Sequence, residues 1–180
     1  MDEILVTIRP ATQADLLPLQ QLSITTFTDT YAVYNTPENM QLYIDTYYND
    51  ERLLSELADA NMQYLVAFVG EELAGYVKLR TIDNPPELAG TKHIEIERIY
   101  VLPGFKGMKI GKKLVDHSIE TARQQQFNVI WLGVWEKNPR AIRFYEKNGF
   151  ELIEPEALPA SFPRMVVDKR FYRLDTGVSA

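Results

Sequence analysis

Between His93 and Trp135 the chain reads strand, glycine-containing loop, amphipathic helix, strand. That order limits the fold more than any other feature. Strands separated by a helix-length crossover pair in parallel, so the chain needs a sheet with a parallel section. The first run, HIEIERIYV (His93–Val101), carries Ile94 and Ile96 in one phase and Ile99 and Val101 in the other. A period of two cannot keep all four on one face. Two readings stay open. A β-bulge near Glu97–Arg98 would restore the phase, or both faces of the strand are buried. After the loop, Ile110, Leu114, Val115, Ser118, Ile119 and Ala122 fall on one helical face, with Lys112, Lys113, Asp116, Glu120 and Arg123 elsewhere. NVIWLGVW (Asn128–Trp135) is a strand of the fully buried kind.

The flanks extend this pattern. ILVTI, Ile4 to Ile8, predicts a strand. ATQADLLPLQQLSITTF follows as a helix capped by Thr12, with Asp15 three residues on, although Pro18 removes a helix hydrogen bond. NTPENMQLYIDTYY opens a second helix, with Thr36 as cap and Pro37 at the first helical position, and DERLLSELADA reads as a third. QYLVAFVGEELAGYVKLRTI is a hairpin turning at Gly70–Glu72, and DNPPELAGT is a loop. NPRAIRFYEKNGF is a helix between cap Asn138 and stop Gly149. FELIE gives a short strand. A proline-rich loop from Pro155 to Pro163 then leads to a last strand in MVVDKRFYRL, and DTGVSA reads as a frayed tail. The expectation is one α/β domain over residues 1–174, built on a mixed sheet, with 175–180 as a disordered end.

Composition narrows the chemistry. A chain of 180 residues with 46% apolar and 24% charged residues can bury a sizeable single core. The net charge of −6 is the wrong sign for a general nucleic-acid binder. There are no cysteines, which removes thiolate nucleophiles and thiolate metal sites. His93 and His117 are the two histidines and lack ligand spacing. No metal site is expected. No apolar run approaches twenty residues, and the acidic MDEILVTIRP start lacks the form of a signal peptide, so a cytoplasmic protein without a membrane span is expected.

Two elements carry chemistry. In GFKGMKIGKKL (Gly104–Leu114) a glycine-containing loop runs into a helix start and carries Lys106, Lys109, Lys112 and Lys113. Free backbone N–H groups and the helix dipole make such a place fit for a pyrophosphate-sized anion. Neither G-x-G-x-x-G nor the P-loop pattern is present, and many surface helices begin with glycine and lysine. In WEKNPRAIRFYEKNGF, Asn138 caps a helix and Tyr145 lies two turns on, near the same face. Taken alone, a tyrosine there reads first as core packing with a satisfied hydroxyl.

Together, IERIYVLPGFKGMKIGKKL and WLGVWEKNPRAIRFYEKNGFELI resemble the GCN5-related N-acetyltransferase (GNAT) superfamily. The second stretch fits its N-x-x-A-x-x-x-Y-x-x-x-G-F pattern at Asn138, Ala141, Tyr145, Gly149 and Phe150. The loop pattern [QR]-x-x-G-x-[GA] falls on Lys106, Lys109 and Gly111, and departs at the first two. LQQLSITTFTDTY, TPENM, IEIERIYV and IWLGVWEKN look like the PaiA-type branch of spermidine/spermine acetyltransferases.

The resemblance implies a GNAT fold: a mixed central sheet of six or seven strands with a splayed parallel pair and flanking helices. It implies direct transfer of acetyl from acetyl-CoA to a small-molecule amine, with a polyamine first. Backbone around Ile99, Tyr100 and Val101 would bond the pantetheine arm. The N–H groups of Lys106, Gly107, Met108, Lys109, Ile110 and Gly111, with Lys112, would hold the pyrophosphate, and Asn138 and Lys147 would also contact CoA. Tyr145 would be the general acid, since a phenol of ordinary pKa near 10 keeps its proton at neutral pH. Glu97 would be the base, acting through water, with Glu95 second; charge pairing with Arg98 or a neighbouring strand is the other reading of both. Phe27, Asp29, Tyr31, Tyr34, Glu38, Tyr43, Asp45, Tyr47 and Tyr48 lie on the helices and loops that face substrate in this superfamily, and aromatic rings with carboxylates suit a cation. Rival readings are the same chemistry on a protein N-terminus, an amino acid or an aminoglycoside, and a non-catalytic acetyl-CoA-binding regulator. A homodimer is compatible with the sequence.

Overall fold

Helical and extended segments alternate in the order the sequence predicts. The computed structural model describes residues 5–82, 88–153 and 169–179. Strand β1 (Val6–Pro10) leads into helices α1 (Leu16–Tyr31), α2 (Pro37–Tyr47) and α3 (Asp50–Ala58). Then come β2 (Met62–Val69), β3 (Glu72–Arg80), β4 (His93–Val101), α4 (Ile110–Gln124), β5 (Val129–Trp135), α5 (Pro139–Lys147), β6 (Glu151–Leu152) and β7 (Lys169–Asp175). The seven strands form one mixed sheet in the order β1-β2-β3-β4-β5-β7-β6. That is the fold class the resemblance implied. The parallel pair is β4 with β5, running from His93↔Val129 to Ile96↔Leu132. β5 continues to Trp135 paired with β7. The ladder between β4 and β5 therefore ends at Ile96, one residue before the phase slip read in the sequence. His93 to Ile96 are buried on both faces, and Glu97 to Val101 are half-buried.

The chain divides into two compact units, one of residues 1–78 with 98–114, the other of 79–97 with 115–180. In the first, Leu19, Leu22, Tyr64, Val66, Leu73 and Tyr76 form a core. A second cluster joins Phe27, Met40 and Tyr48. In the second unit, Leu88, Val129, Trp131, Ile153 and Phe171 pack together. Each large apolar side chain taken from water contributes about 1.5–3 kcal/mol before chain entropy is counted.

Local chemistry explains most boundaries. Thr36 accepts from Asn39 N–H at 3.3 Å, Asn49 from Arg52 N–H at 2.8 Å and Asn138 from Ala141 N–H at 3.1 Å, each satisfying an orphan donor of a first turn. α1 begins later than the sequence predicts, because Gln13–Asp15 is a 3₁₀ turn. Pro18 consequently stands in the first α-helical turn, where a missing N–H is tolerated. β1 is shifted two residues along from the predicted Ile4–Ile8 and reaches Pro10; Ile4 lies outside the described residues. The loop DNPPELAGT and the proline-rich Pro155–Pro163 stretch also fall wholly or largely outside them.

The chain end differs from the frayed tail read in DTGVSA. Thr176 is buried, and its hydroxyl donates to the Phe127 carbonyl at 2.6 Å. Arg123 Nε donates to the Thr176 carbonyl at 2.8 Å, and Asn128 Nδ2 to that of Val178 at 3.0 Å. Side-chain hydrogen bonds at Thr176, Arg123 and Asn128 hold the segment, and composition alone does not signal them.

Candidate active site

The loop after β4 is shaped by two left-handed residues. Gly107 has φ +93° and Lys109 has φ +59°. Backbone N–H groups that follow such a twist turn into one concavity, the usual form of a backbone anion nest. The Lys109 carbonyl accepts from Lys113 N–H at 3.0 Å, so Lys109 stands at the start of α4 and Ile110, Gly111 and Lys112 form its first turn. The first N–H groups of a helix have no carbonyl within it. Ile110 is buried and anchors the turn, while Lys106, Gly107, Lys109 and Lys112 are exposed and Met108 and Gly111 are half-exposed. Space beside the loop is open, since a Cβ at Gly104 or Gly107 would meet nothing within 4 Å. Lys106 Nζ lies 3.4 Å from Asp29 of α1 in an exposed pair.

β4 reaches the loop through Ile99, Tyr100 and Val101. Gly75 of β3 lies against them: a Cβ there would stand 2.7 Å from the Tyr100 carbonyl oxygen and 3.2 Å from Val101. The residue is glycine because nothing larger fits. Its only mark in the sequence is an isolated glycine in a strand pattern.

The two β4 carboxylates share one cation. Arg80 Nε pairs with Glu95 Oε2 at 2.5 Å, and Arg80 Nη1 with Glu97 Oε1 at 3.2 Å. Both carboxylates thus pair with the neighbouring strand, and Arg98 reaches the aromatic residues. Its guanidinium lies 5.0 Å from the Tyr48 ring centroid, and Nη2 donates to the Tyr43 hydroxyl at 3.5 Å.

That contact changes the reading of the aromatic residues. Phe27 and Tyr43 stack at 4.2 Å, Tyr43 meets Tyr47 at 4.5 Å, and Phe27 meets Tyr48 at 5.7 Å. Phe27 and Tyr48 are core residues, and the chain's own arginine lies over the Tyr48 ring. Burial pushes the Tyr48 phenol far above its ordinary value, with the Arg98 charge opposing. Tyr34, Glu38 and Asp45 have a different setting: Tyr34 and Glu38 are exposed, and Asp45 accepts from Gln41 at 2.7 Å.

On α5, Asn138 Oδ1 is committed to the helix cap. Tyr145 is 7% exposed, with its ring edge-on to Phe144 at 5.3 Å and to Phe150 at 5.8 Å. Gly149, at φ +88°, ends the helix and lets Phe150 N–H return to the Tyr145 carbonyl at 3.1 Å. The N-x-x-A-x-x-x-Y-x-x-x-G-F spacing is thus a cap, a ring and a stop on one short helix. Lys147 is exposed in the last turn. His93 is buried, and burial lowers its imidazole; His117 is exposed. No group of three or more His, Asp and Glu side chains is placed to hold a metal, and no helix is long and apolar enough to cross a membrane, among the described residues.

The seven-stranded mixed sheet, with β4 parallel to β5, is the fold of a known acetyltransferase family. The chain belongs to the acetyltransferase (GNAT) family, whose model matches residues 24–150. An uncharacterized N-acetyltransferase of Lactobacillus delbrueckii subsp. lactis is 35% identical over 144 residues, 80% of this chain and 83% of that protein. The spermidine N(1)-acetyltransferase of Thermoplasma acidophilum is 28% identical over 151 residues, 82% of this chain and 89% of its own. In fold, the PaiA N-acetyltransferase of Thermoplasma acidophilum, solved with coenzyme A, superposes with a TM-score of 0.77 at 23% identity, over 95% of this chain and 99% of that one. The chain is an acetyl-CoA-dependent N-acetyltransferase.

Proposed function

We propose that the acceptor is a small primary amine, with a polyamine such as spermidine or spermine first. The observation that carries this reading is the match, over most of both chains, to a spermidine N(1)-acetyltransferase. Acetyl-CoA supplies the acetyl group as a thioester. The chain's residues bind, orient and move protons. N–H groups from Lys106 to Gly111, with Lys112, hold the pyrophosphate, and the Lys109 ammonium adds charge. Backbone of Ile99, Tyr100 and Val101 holds the pantetheine arm, kept in line by Gly75. Asn138 and Lys147 contribute further contacts to CoA.

A polyamine is largely protonated at neutral pH, so its nitrogen must lose a proton before it attacks. Glu97 takes that proton through water. Tyr145 donates its phenolic proton to the departing thiolate and holds its own backbone through Phe150. No covalent acyl-enzyme is needed, because the amine attacks the thioester directly.

The test is an acceptor panel. Purified protein with acetyl-CoA should release CoA with spermidine or spermine and not with peptides. Turnover confined to amino acids or aminoglycosides would replace the polyamine reading. Tight acetyl-CoA binding without turnover on any amine would overturn it in favour of a regulator.

A further inference from the structure

We propose that Arg80 is a positioning residue for Glu97, and that Glu95 is the counter-charge that keeps Glu97 basic. This rests on Glu97 as the base. Glu95 and Glu97 are two residues apart on β4, so they share one face of the strand. Arg80 ends β3 with both carboxylates at its fork, at 2.5 Å to Glu95 and 3.2 Å to Glu97. The three side chains are mostly buried, at 23%, 11% and 18% exposure. Solvent therefore screens them weakly.

A carboxylate held alone by a guanidinium is a poor base, because the pair favours its charged form. Here the guanidinium is shared, and its shorter contact goes to Glu95. The trio carries one net negative charge. Glu95 thus offsets the arginine and also repels Glu97, and both effects favour proton uptake at Glu97. The proton leaves the ammonium for water, and water gives one to Glu97. Arg80 meanwhile fixes one Glu97 oxygen.

Among the described residues, His93, two residues before Glu95 on the same face of β4, is buried, and burial lowers its imidazole. Lys78, two residues back on β3, lies 2.8 Å from Glu56. Arg98, next on β4, turns to Tyr48 and Tyr43. β5 brings no ionisable group over Val129–Trp135.

The test is the acid limb of kcat against pH, at saturating acetyl-CoA and spermidine, for five proteins. In Arg80→Met two carboxylates face each other without their shared cation, and the limb should move up by about one pH unit or more. In Glu95→Gln the arginine turns wholly to Glu97, and the limb should move down by a similar amount. Arg80→Lys keeps the charge without the fork, so its limb should stay near the wild type at a lower rate. A merely structural role predicts no such opposite displacements. Glu97→Gln separates the two assignments. If it leaves the limb in place, Glu97 is not the base and the inference falls with that reading. If it removes the limb while Arg80→Met and Glu95→Gln leave it unmoved, the base stands and the inference alone is overturned.

Discussion

The carbonyl of Lys109 accepts the N–H of Lys113 at 3.0 Å while Lys109 itself sits at φ +59°. A lysine therefore starts α4 from a conformation that suits glycine, where the family pattern has glycine. The left-handed backbone costs a side-chain-bearing residue about 1–2 kcal/mol, and glycine gives back about 0.5–1 kcal/mol through its looser unfolded chain. Lys109→Gly should leave the protein as stable or up to about 1.5 kcal/mol more stable in thermal unfolding. It should also weaken acetyl-CoA binding about two- to five-fold in titration calorimetry, if the ammonium assists the pyrophosphate. Equal or tighter binding would show that the lysine is only tolerated there.

Gly75→Ala should do the reverse. Its Cβ would meet the Tyr100 carbonyl at 2.7 Å, a backbone atom that cannot swing aside. Overpacking of this kind costs about 1–3 kcal/mol, and it displaces the segment proposed to hold the pantetheine arm. Lower stability with weaker acetyl-CoA binding is expected. Loss of stability at unchanged affinity would remove Ile99–Val101 from the cofactor site.

Tyr145→Phe removes one oxygen from a ring already packed against Phe144 and Phe150. The fold and the cofactor affinity should survive. Turnover at neutral pH should drop about 10²–10⁴-fold, the usual share of a general acid. Unchanged turnover would assign the tyrosine to packing alone.

Asp15 links stability to pH. Hydrogen bonds from Arg9 at 2.7 and 2.8 Å, with Thr12 N–H at 2.8 Å, hold its carboxyl at about 2 despite burial. A depressed folded pKa gives stability that is present above the ordinary carboxylate range and is lost as pH falls toward about 2. Arg9 is half-exposed, so the contribution at pH 7 is discounted to about 1–2 kcal/mol. Asp15→Asn should lower the urea midpoint at pH 7, and the gap to wild type should close as pH approaches 2. A gap that persists unchanged at low pH would place the cost in packing.

What the sequence made legible was local. Asn138, Ala141, Tyr145 and Gly149 lie within one helix and its ends, so their spacing alone gives cap, ring and stop. The helix starts at Thr36 and Asn138, and the buried face of α4, are legible for the same reason. Arg80 is not, because its pairing with Glu95 and Glu97 depends on the register of β3 against β4, which no short window contains. Nor is the Arg98–Tyr48 contact, which joins a strand to the end of a helix fifty residues earlier in the chain. The aromatic residues looked like a seat for a cation, and the tertiary structure brings the chain's own arginine to them. Thr176 looked like a frayed end because its partners, the Phe127 and Asn128 carbonyls, lie far back in the chain.

Initial-velocity kinetics on the purified protein bear most directly on the central claim, direct acetyl transfer to a polyamine. CoA release is followed while acetyl-CoA and spermidine are varied against each other, with the product identified by mass spectrometry. Intersecting double-reciprocal lines and N-acetylspermidine as product are expected. Parallel lines would indicate an acyl-enzyme, and CoA release independent of spermidine would contradict the acceptor assignment.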